Sequence, residues 1–307
     1  MKASKRRAAP LIPRSARSAR SARSGERLGL VTLAAGLAIL AAPAQAANPG
    51  PVVAAERAFA ADGAANGVKA SFLRAMAPDA IVFAPDPVNA RAFYSRRPDG
   101  KGAHVLTWRP TYAGLAETRD LGFTTGPYAV DGQPGGYYFT VWAKQRDGSW
   151  KWIFDGGTGS DTSTAPPPEA PVEAMEEARE LPNSRREAMA AVRKAEGRLA
   201  RAAKVDLSQA YTEALSRDAR VQGSPAAPAT DAEAIARELA TRPKAVSFSR
   251  QGARVSDIGD LVFTYGEARW TEAGRRRRGH YVRIWRDDRQ AFHIVFDEFI
   301  PVPESAK

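Results

Sequence analysis

The chain of 307 residues contains no cysteine. Disulfides, thiolate metal sites, cysteine nucleophiles and a lipidated cysteine anchor are therefore excluded together. Histidine is almost as scarce: His104, His280 and His293 are the only three. There is no GxSxG elbow, no phosphate-cradling glycine loop and no HExxH helix. These absences do not exclude proton-transfer chemistry, which needs no signature motif. The apolar run at residues 28–42 has fifteen residues, short of the roughly 20 that a spanning helix needs.

Excess charge is also largely absent once its location is considered. The formal net charge is +11, from 45 basic and 34 acidic residues. Nine of the bases lie in the first 27 positions with only Glu26 against them, so the rest carries 45 − 9 = 36 basic and 34 − 1 = 33 acidic residues. A net of +3 is an ordinary soluble surface, and no nucleic-acid partner is expected. The basic segment leads into the apolar run and then Ala44-Gln45-Ala46. A positive region, a short apolar region and a small-x-small site make up a secretory signal peptide. Residues 1–46 are read as that signal, cleaved after Ala46, so the mature protein is periplasmic or secreted with no stable membrane span. Without disulfides, it must be held by its core alone.

What the chain does have is a repetition. Residues 120–157 read DLGFTTGPYAVDGQPGGYYFTVWAKQRDGSWKWIFDGG, and residues 260–299 read DLVFTYGEARWTEAGRRRRGHYVRIWRDDRQAFHIVFDEF. Asp120, Leu121, Phe123, Thr124 and Gly126 return as Asp260, Leu261, Phe263, Thr264 and Gly266, all 260 − 120 = 140 positions on. Gly136, Tyr138 and Trp142 return as Gly279, Tyr281 and Trp285, and Phe154-Asp155 as Phe296-Asp297. Glu196 stands where Glu56 stood. A match of this length predicts two copies of one domain.

In each copy the helical periodicity comes first and the strands follow. Helices are expected over 52–62, 68–76 and 89–96, with Gly63 and Gly67 interrupting the first pair, and a short strand over 80–84. Strands follow over 105–116, with Pro110 marking an edge or bulge, then 121–130, 136–145 and 150–155, with hairpin turns at Asp131-Gly132 and Asp147-Gly148. The second copy repeats the order with helices over 184–203, 207–217 and 231–240, a strand over 218–222, and strands over 245–255, 261–270, 279–286 and 291–299. The fold class is α+β: two tandem cone-shaped domains, each with helices packed in a curved antiparallel sheet. The boundaries are 51–158 for the first cone, 159–182 for a Pro-rich and acidic linker, and 183–302 for the second cone. Part of the linker, 171–181, is read as a helical turn or two.

Several stretches carry a resemblance. They are Glu56-Arg57-Ala58-Phe59, Phe72-Leu73 before Pro78-Asp79-Ala80, Pro87-Val88-Asn89-Ala90-Arg91, Leu106-Thr107-Trp108, Asp120-Leu121-Gly122 with Thr125-Gly126, and Val141-Trp142 before Asp147-Gly148-Ser149-Trp150-Lys151. The chain resembles the nuclear transport factor 2 and ketosteroid isomerase superfamily, close to an exported SnoaL-like branch catalogued as a domain of unknown function. The likeness covers 52–157 well and 184–299 more loosely, because the second copy lacks the Pro-Val-Asn-Ala-Arg and Asp-Gly-Ser-Trp-Lys stretches. It implies a pocket between the concave sheet face and the helices, and outer sheet faces on which relatives commonly dimerise. The tandem chain is accordingly expected to be a built-in pseudo-dimer and a monomer. Relatives include isomerases, dehydratases, polyketide cyclases and pure binding modules, so activity has to come from the site.

The candidate pocket residues are Trp108, Tyr128, Tyr138, Trp142 and Asp155, with Tyr281, Trp285 and Asp297 in the second copy. Tyr138, Thr140 and Trp142 share one strand face and Tyr137, Phe139 and Val141 the other; alternation alone does not say which is concave. Asp155 at the mouth of an apolar cone is the one candidate general base, with Tyr128 or Tyr138 donating to an oxyanion. His280, His293 and Asp297 on adjacent strands make a metal site conceivable, although no metal and no cofactor is called for. Arg275–Arg278 are read as a hairpin loop tip able to grip a phosphate, sulfate or anionic headgroup. The favoured reading is non-catalytic binding of a small apolar or amphipathic ligand or of a protein partner; the alternative is an isomerase- or cyclase-like enzyme using Asp155.

Overall fold

The computed structural model describes residues 48–98, 104–176, 178, 184–288 and 291–304. The segment read as a signal peptide lies outside these residues. The first half begins with α1 (Gly50–Asn66), which puts Val52, Val53, Glu56, Phe59 and Gly63 on its buried stripe. It runs through Gly63, where a break was expected, and ends only at Gly67, whose φ of 80° a helix cannot continue. Gly63 is a packing residue: a Cβ there would come within 2.7 Å of the Trp108 ring. Helix α2 (Val68–Ala75), strands β1 (Met76–Phe83) and β2 (Pro87–Asn89) and helix α3 (Ala90–Ser95) follow. The Asn89 side chain caps α3 by accepting from the Ala92 amide.

Strands β3 (Leu106–Trp108) and β4 (Tyr112–Leu115) are one run broken around Pro110, and both pair with β5 (Leu121–Val130). The hairpin to β6 (Gln133–Lys144) turns on Asp131 and Gly132, both at positive φ (53° and 76°), as a two-residue turn requires. Strand β7 (Trp150–Thr158) completes the meander and pairs in parallel with β1. The segment following it contains β8 (Glu173–Ala174), which adds to the edge of β4 in parallel; an extended strand stands where a helical turn was expected. The first sheet runs β2-β1-β7-β6-β5-β4-β8.

The second half starts with α4 (Arg185–Ala202), whose N-cap Ser184 hydroxyl accepts from the Glu187 amide and donates to the Glu187 carboxylate. Helix α5 (Leu207–Ala214), strand β9 (Leu215–Gln222) and helix α6 (Ala232–Ala240) come next, with Asp206 and Asp231 as caps. Strands β10 (Ser247–Val255), β11 (Leu261–Glu272), β12 (Arg275–Asp287) and β13 (Phe292–Pro301) form a sheet in the order β10-β11-β12-β13-β9. The β11–β12 turn closes on Ala273 and Gly274, so the arginine run is strand: Arg275 to Arg278 pair with Glu272 to Arg269. The loop-tip reading is thereby corrected.

The two sheets share finer detail. Met76 and Ile81 of β1 pair with Trp152 and Phe154, while Leu215 and Arg220 of β9 pair with Ile294 and Phe296. In each, a bulge falls on one last-strand residue, Ile153 in one sheet and Val295 in the other. Both sheets keep their helices on one face and press the other face against their partner. Phe139 stacks on Phe296 with centroids 3.9 Å apart, and a single apolar cluster joins Phe123, Phe139 and Phe154 to Phe263, Ile284 and Phe296.

Contacts across this seam are reciprocal. Phe154 meets Phe263, and Phe123 meets Phe296, where 263 − 123 = 140 and 296 − 154 = 142. The Glu117 amide donates to Asp260, and the Asp257 amide donates to Asp120, again with 257 − 117 = 260 − 120 = 140. A contact that repeats with its partners exchanged marks an isologous, two-fold arrangement. The Phe296 ring fills its centre, and truncation there leaves a cavity between two rigid sheets. Phe296→Ala is expected to lower the unfolding free energy in urea by about 3–5 kcal/mol; a loss well under 1 kcal/mol would mean that the seam is not the core described.

Candidate functional site

The inner face of β6 carries Tyr138, Thr140 and Trp142, since Phe139 on the other side packs into the seam. The concave face is therefore the polar-aromatic one. At its base sits Glu56, fully buried on α1. One carboxylate oxygen accepts from the Trp108 indole at 2.6 Å; the other accepts from the Trp142 indole at 3.0 Å and from the Thr124 hydroxyl. Burial pushes its pKa up, and the donors from Thr124, Trp108 and Trp142 partly offset the rise. The Glu56 anchor holds Trp108 upright against Gly63 and Phe59, where the ring becomes a wall of the cavity above.

That cavity has a volume of about 370 Å³. Phe72, Leu106, Trp108, Tyr128 and Tyr138 supply most of its walls, and Asp155 with Gly156 and Gly157 one side; Arg97 and His104 also line it. Tyr128 is braced at Gly135, where a Cβ would strike its ring at 2.2 Å. His104 is held by Asp131 at 2.7 Å.

Asp155 is half-buried, one side of its carboxyl on the cavity and the other against Thr140. Burial lifts its carboxyl to about 8, offset in part by the Thr140 hydroxyl, which donates to Oδ1 at 2.7 Å, and reinforced by the negative neighbours Glu56 and Glu298. At neutral pH it is chiefly a neutral acid. The Tyr138 hydroxyl is buried beside Thr124 with no partner in hydrogen-bond geometry; burial first and Glu56 next raise its pKa, and Thr124 offsets part of the rise. Two neutral donors thus sit in one apolar cavity.

The structure brings together four of the residues expected in the first pocket, Trp108, Tyr128, Tyr138 and Asp155. Trp142 is one layer deeper, 1% exposed and committed to Glu56 and Thr124. The second-copy candidates do not form a matching pocket. Asp297 accepts from Arg242 at 2.6 Å, from Arg283 at 2.9 Å and from the Tyr211 hydroxyl at 2.9 Å, and it is fully buried. Tyr281 lies beneath the Arg283 guanidinium at 3.8 Å. Trp285 donates to Thr264 at 2.9 Å and borders only a cleft of about 100 Å³. Arg283 occupies the place of Thr140 (285 − 142 = 283 − 140 = 143), and Phe299 that of Gly157 (299 − 157 = 142). A guanidinium and a phenyl ring fill what is cavity in the first cone.

The histidine pairing is also corrected. In the β12–β13 register His280 faces Ile300 and Arg286 faces His293. Six residues of strand, about 20 Å, separate the two imidazoles. His280 instead contacts Asp86 at 3.2 Å and the Phe83 ring. Among the described residues, no three of His, Cys, Asp and Glu are grouped to hold a metal ion.

Four residues at these two sites were given no role from the sequence: Glu56, Arg283, Arg242 and Tyr211. Glu56 had a readable signal, being the one acid within an otherwise apolar helix stripe. Arg283 did too, as a charge alternating with Tyr281 and Trp285. Arg242 and Tyr211 had none, because only tertiary packing aims them at Asp297.

No family model and no curated protein matches the chain. Similar solved structures include a ketosteroid isomerase-like protein from Erwinia carotovora atroseptica, 12% identical, with 38% of this chain and 96% of that one covered and a TM-score of 0.34. A nuclear transport factor 2-like protein of unknown function from Pseudomonas putida is 11% identical, with 40% and 92% covered and a TM-score of 0.34. A protein of unknown function with a cystatin-like fold from Nostoc punctiforme is 10% identical, with 38% and 92% covered and a TM-score of 0.32.

The two aspartates differ in how substitution should act. Asp155 binds its proton more tightly folded than unfolded, so its stabilising contribution is full below about pH 3.8 and lost as pH rises through about 8. Asp155→Asn, which mimics the neutral acid, is expected to flatten the fall in thermal midpoint across that window; the slope that remains belongs to Glu298, raised to about 7, and to Glu56. Asp297→Asn strands the buried Arg283 guanidinium and leaves Arg242 with Glu238 alone, and is expected to cost about 3–5 kcal/mol. Equal effects of the two substitutions in a thermal melt would contradict the assignment.

Proposed function

We propose that the first cone binds a small, largely apolar molecule that presents a hydrogen-bond acceptor such as a carbonyl, and that the second cone is a structural copy that braces it. The observation that carries this reading is the pairing of a neutral Asp155 carboxyl with an unpartnered Tyr138 hydroxyl in one aromatic cavity. A buried donor without a partner costs about 1–3 kcal/mol, which an acceptor on a ligand would recover. A volume of about 370 Å³ falls within the usual range for small-molecule sites, at its small end. The repeated spacing and the shared strand registers support a tandem duplication, and the seam supports a monomer with its dimer contact built in. The basic, apolar and Ala-x-Ala segments at residues 1–46 support export.

A second reading is favoured by one feature. A carboxyl near 8 is poised to exchange protons around neutrality, as a general base should be, and Tyr138 could stabilise an oxyanion. This is the isomerase- or cyclase-like alternative.

Mass spectrometry of the protein purified from the periplasm, native and then solvent-extracted, addresses both. The intact polypeptide is expected to begin at Ala47 and to carry one small molecule per chain. Tyr138→Phe is expected to weaken binding of that molecule about fivefold, the worth of one hydrogen bond. An Asp155→Asn protein that binds but no longer converts the molecule would establish the catalytic reading. Retention unchanged in both variants would rule out this cavity as the site.

A further inference from the structure

A second, independent feature lies at the end of the second sheet. Strand β10 begins at Ser247, which pairs with Arg269, while β11 continues to Glu272 alongside β12 only. The missing neighbour leaves a step on the sheet edge, and the step opens into a groove of about 700 Å³. Lys204, Lys244, Arg269, Arg276, Arg277 and Arg278 all line it, and among the described residues no acidic one does. Arg269, Arg277 and Arg278 are held from outside the groove, by Glu267, by Glu272 with Glu304, and by Asp86. Lys204, Lys244 and Arg276 have no ion pair among the described residues. In the wall stands Trp270, 8% exposed, with its indole N–H buried and unpartnered.

Every side-chain group offered here other than hydroxyls is a donor, and the uncompensated charge is all positive. A ligand that satisfies such a site is acceptor-only and negative. Arg269 and the Arg276 partner Thr271 are two residues apart on β11, about 7 Å, so the cations are spread along the groove rather than converging on one point. We propose that this groove binds a molecule carrying two or more phosphate groups, with Lys204, Lys244 and Arg276 contributing the uncompensated charge. Phosphate suits it because each group presents several acceptor oxygens to forked and point-charge donors. A free oligophosphate and an anionic membrane surface both present phosphates in this way.

Inorganic tripolyphosphate, titrated calorimetrically into the purified protein, tests the site. Saturable binding is expected, weakening about tenfold as salt rises from about 50 to about 300 mM because charge dominates it. Lys244→Ala with Arg276→Ala is expected to weaken binding at least about tenfold without moving the thermal midpoint. Co-sedimentation with phosphatidylglycerol vesicles, reversed by tripolyphosphate, assigns the site to a membrane surface; tripolyphosphate binding without co-sedimentation assigns it to a soluble ligand. No saturable binding to either probe, or a double variant that binds as the parent does, would overturn the proposal.

Discussion

A carboxylate cannot remain both charged and alone inside a cone of aromatic side chains. The desolvation penalty has to be met by a proton or by a counter-charge. This protein does both, once in each half. In the first cone Asp155 keeps its proton, with only the Thr140 hydroxyl beside it, and the space around it stays open. In the second, Asp297 is met by Arg242 and Arg283, and those side chains fill the interior. The same position thus yields a cavity in one cone and a solid core in the other. The replacement of Thr140 by Arg283 on the matching strand is the central difference.

The shared frame lets the halves diverge in this way. Each sheet spends its outer face on the seam, through Phe123, Phe139 and Phe154 on one side and Phe263, Ile284 and Phe296 on the other. The inner faces point away from each other and can be altered independently. Reciprocal hydrogen bonds at Asp120 and Asp260 lock the ends of the central hairpins together. Glu298, the neighbour of Asp297, sits in the same seam and accepts from Thr158 of the first half and Gln222 of the second.

Much of this was legible before any coordinates. The offset near 140 between the two strand runs located both sheets, Asp131-Gly132 located a hairpin, and Pro110 located the break between β3 and β4. Period-two alternation grouped Tyr138, Thr140 and Trp142, but the concave face could not be chosen because Tyr137, Phe139 and Val141 are equally apolar. The deeper errors have one cause. Gly63 reads locally as a helix breaker, yet the Trp108 ring forty-five positions away requires it (108 − 63 = 45). His280 and His293 lie on neighbouring strands, yet the register of β12 on β13 places them at opposite ends. The arginine run reads as a loop because charge is common there, yet Ala273-Gly274 supplies the turn instead.

A neutral Asp155 in an open, aromatic cone is the polar centre of the first half. Direct observation of its protonation is the sharpest check. Titration of the carboxyl carbons by ¹³C NMR, with Asp155 assigned through Asp155→Asn, reads the proton itself. A midpoint near 8 is what the described cavity requires. A midpoint near the ordinary 3.8 would mean that the carboxyl is solvated or paired, and the cavity with its two neutral donors would not exist as described.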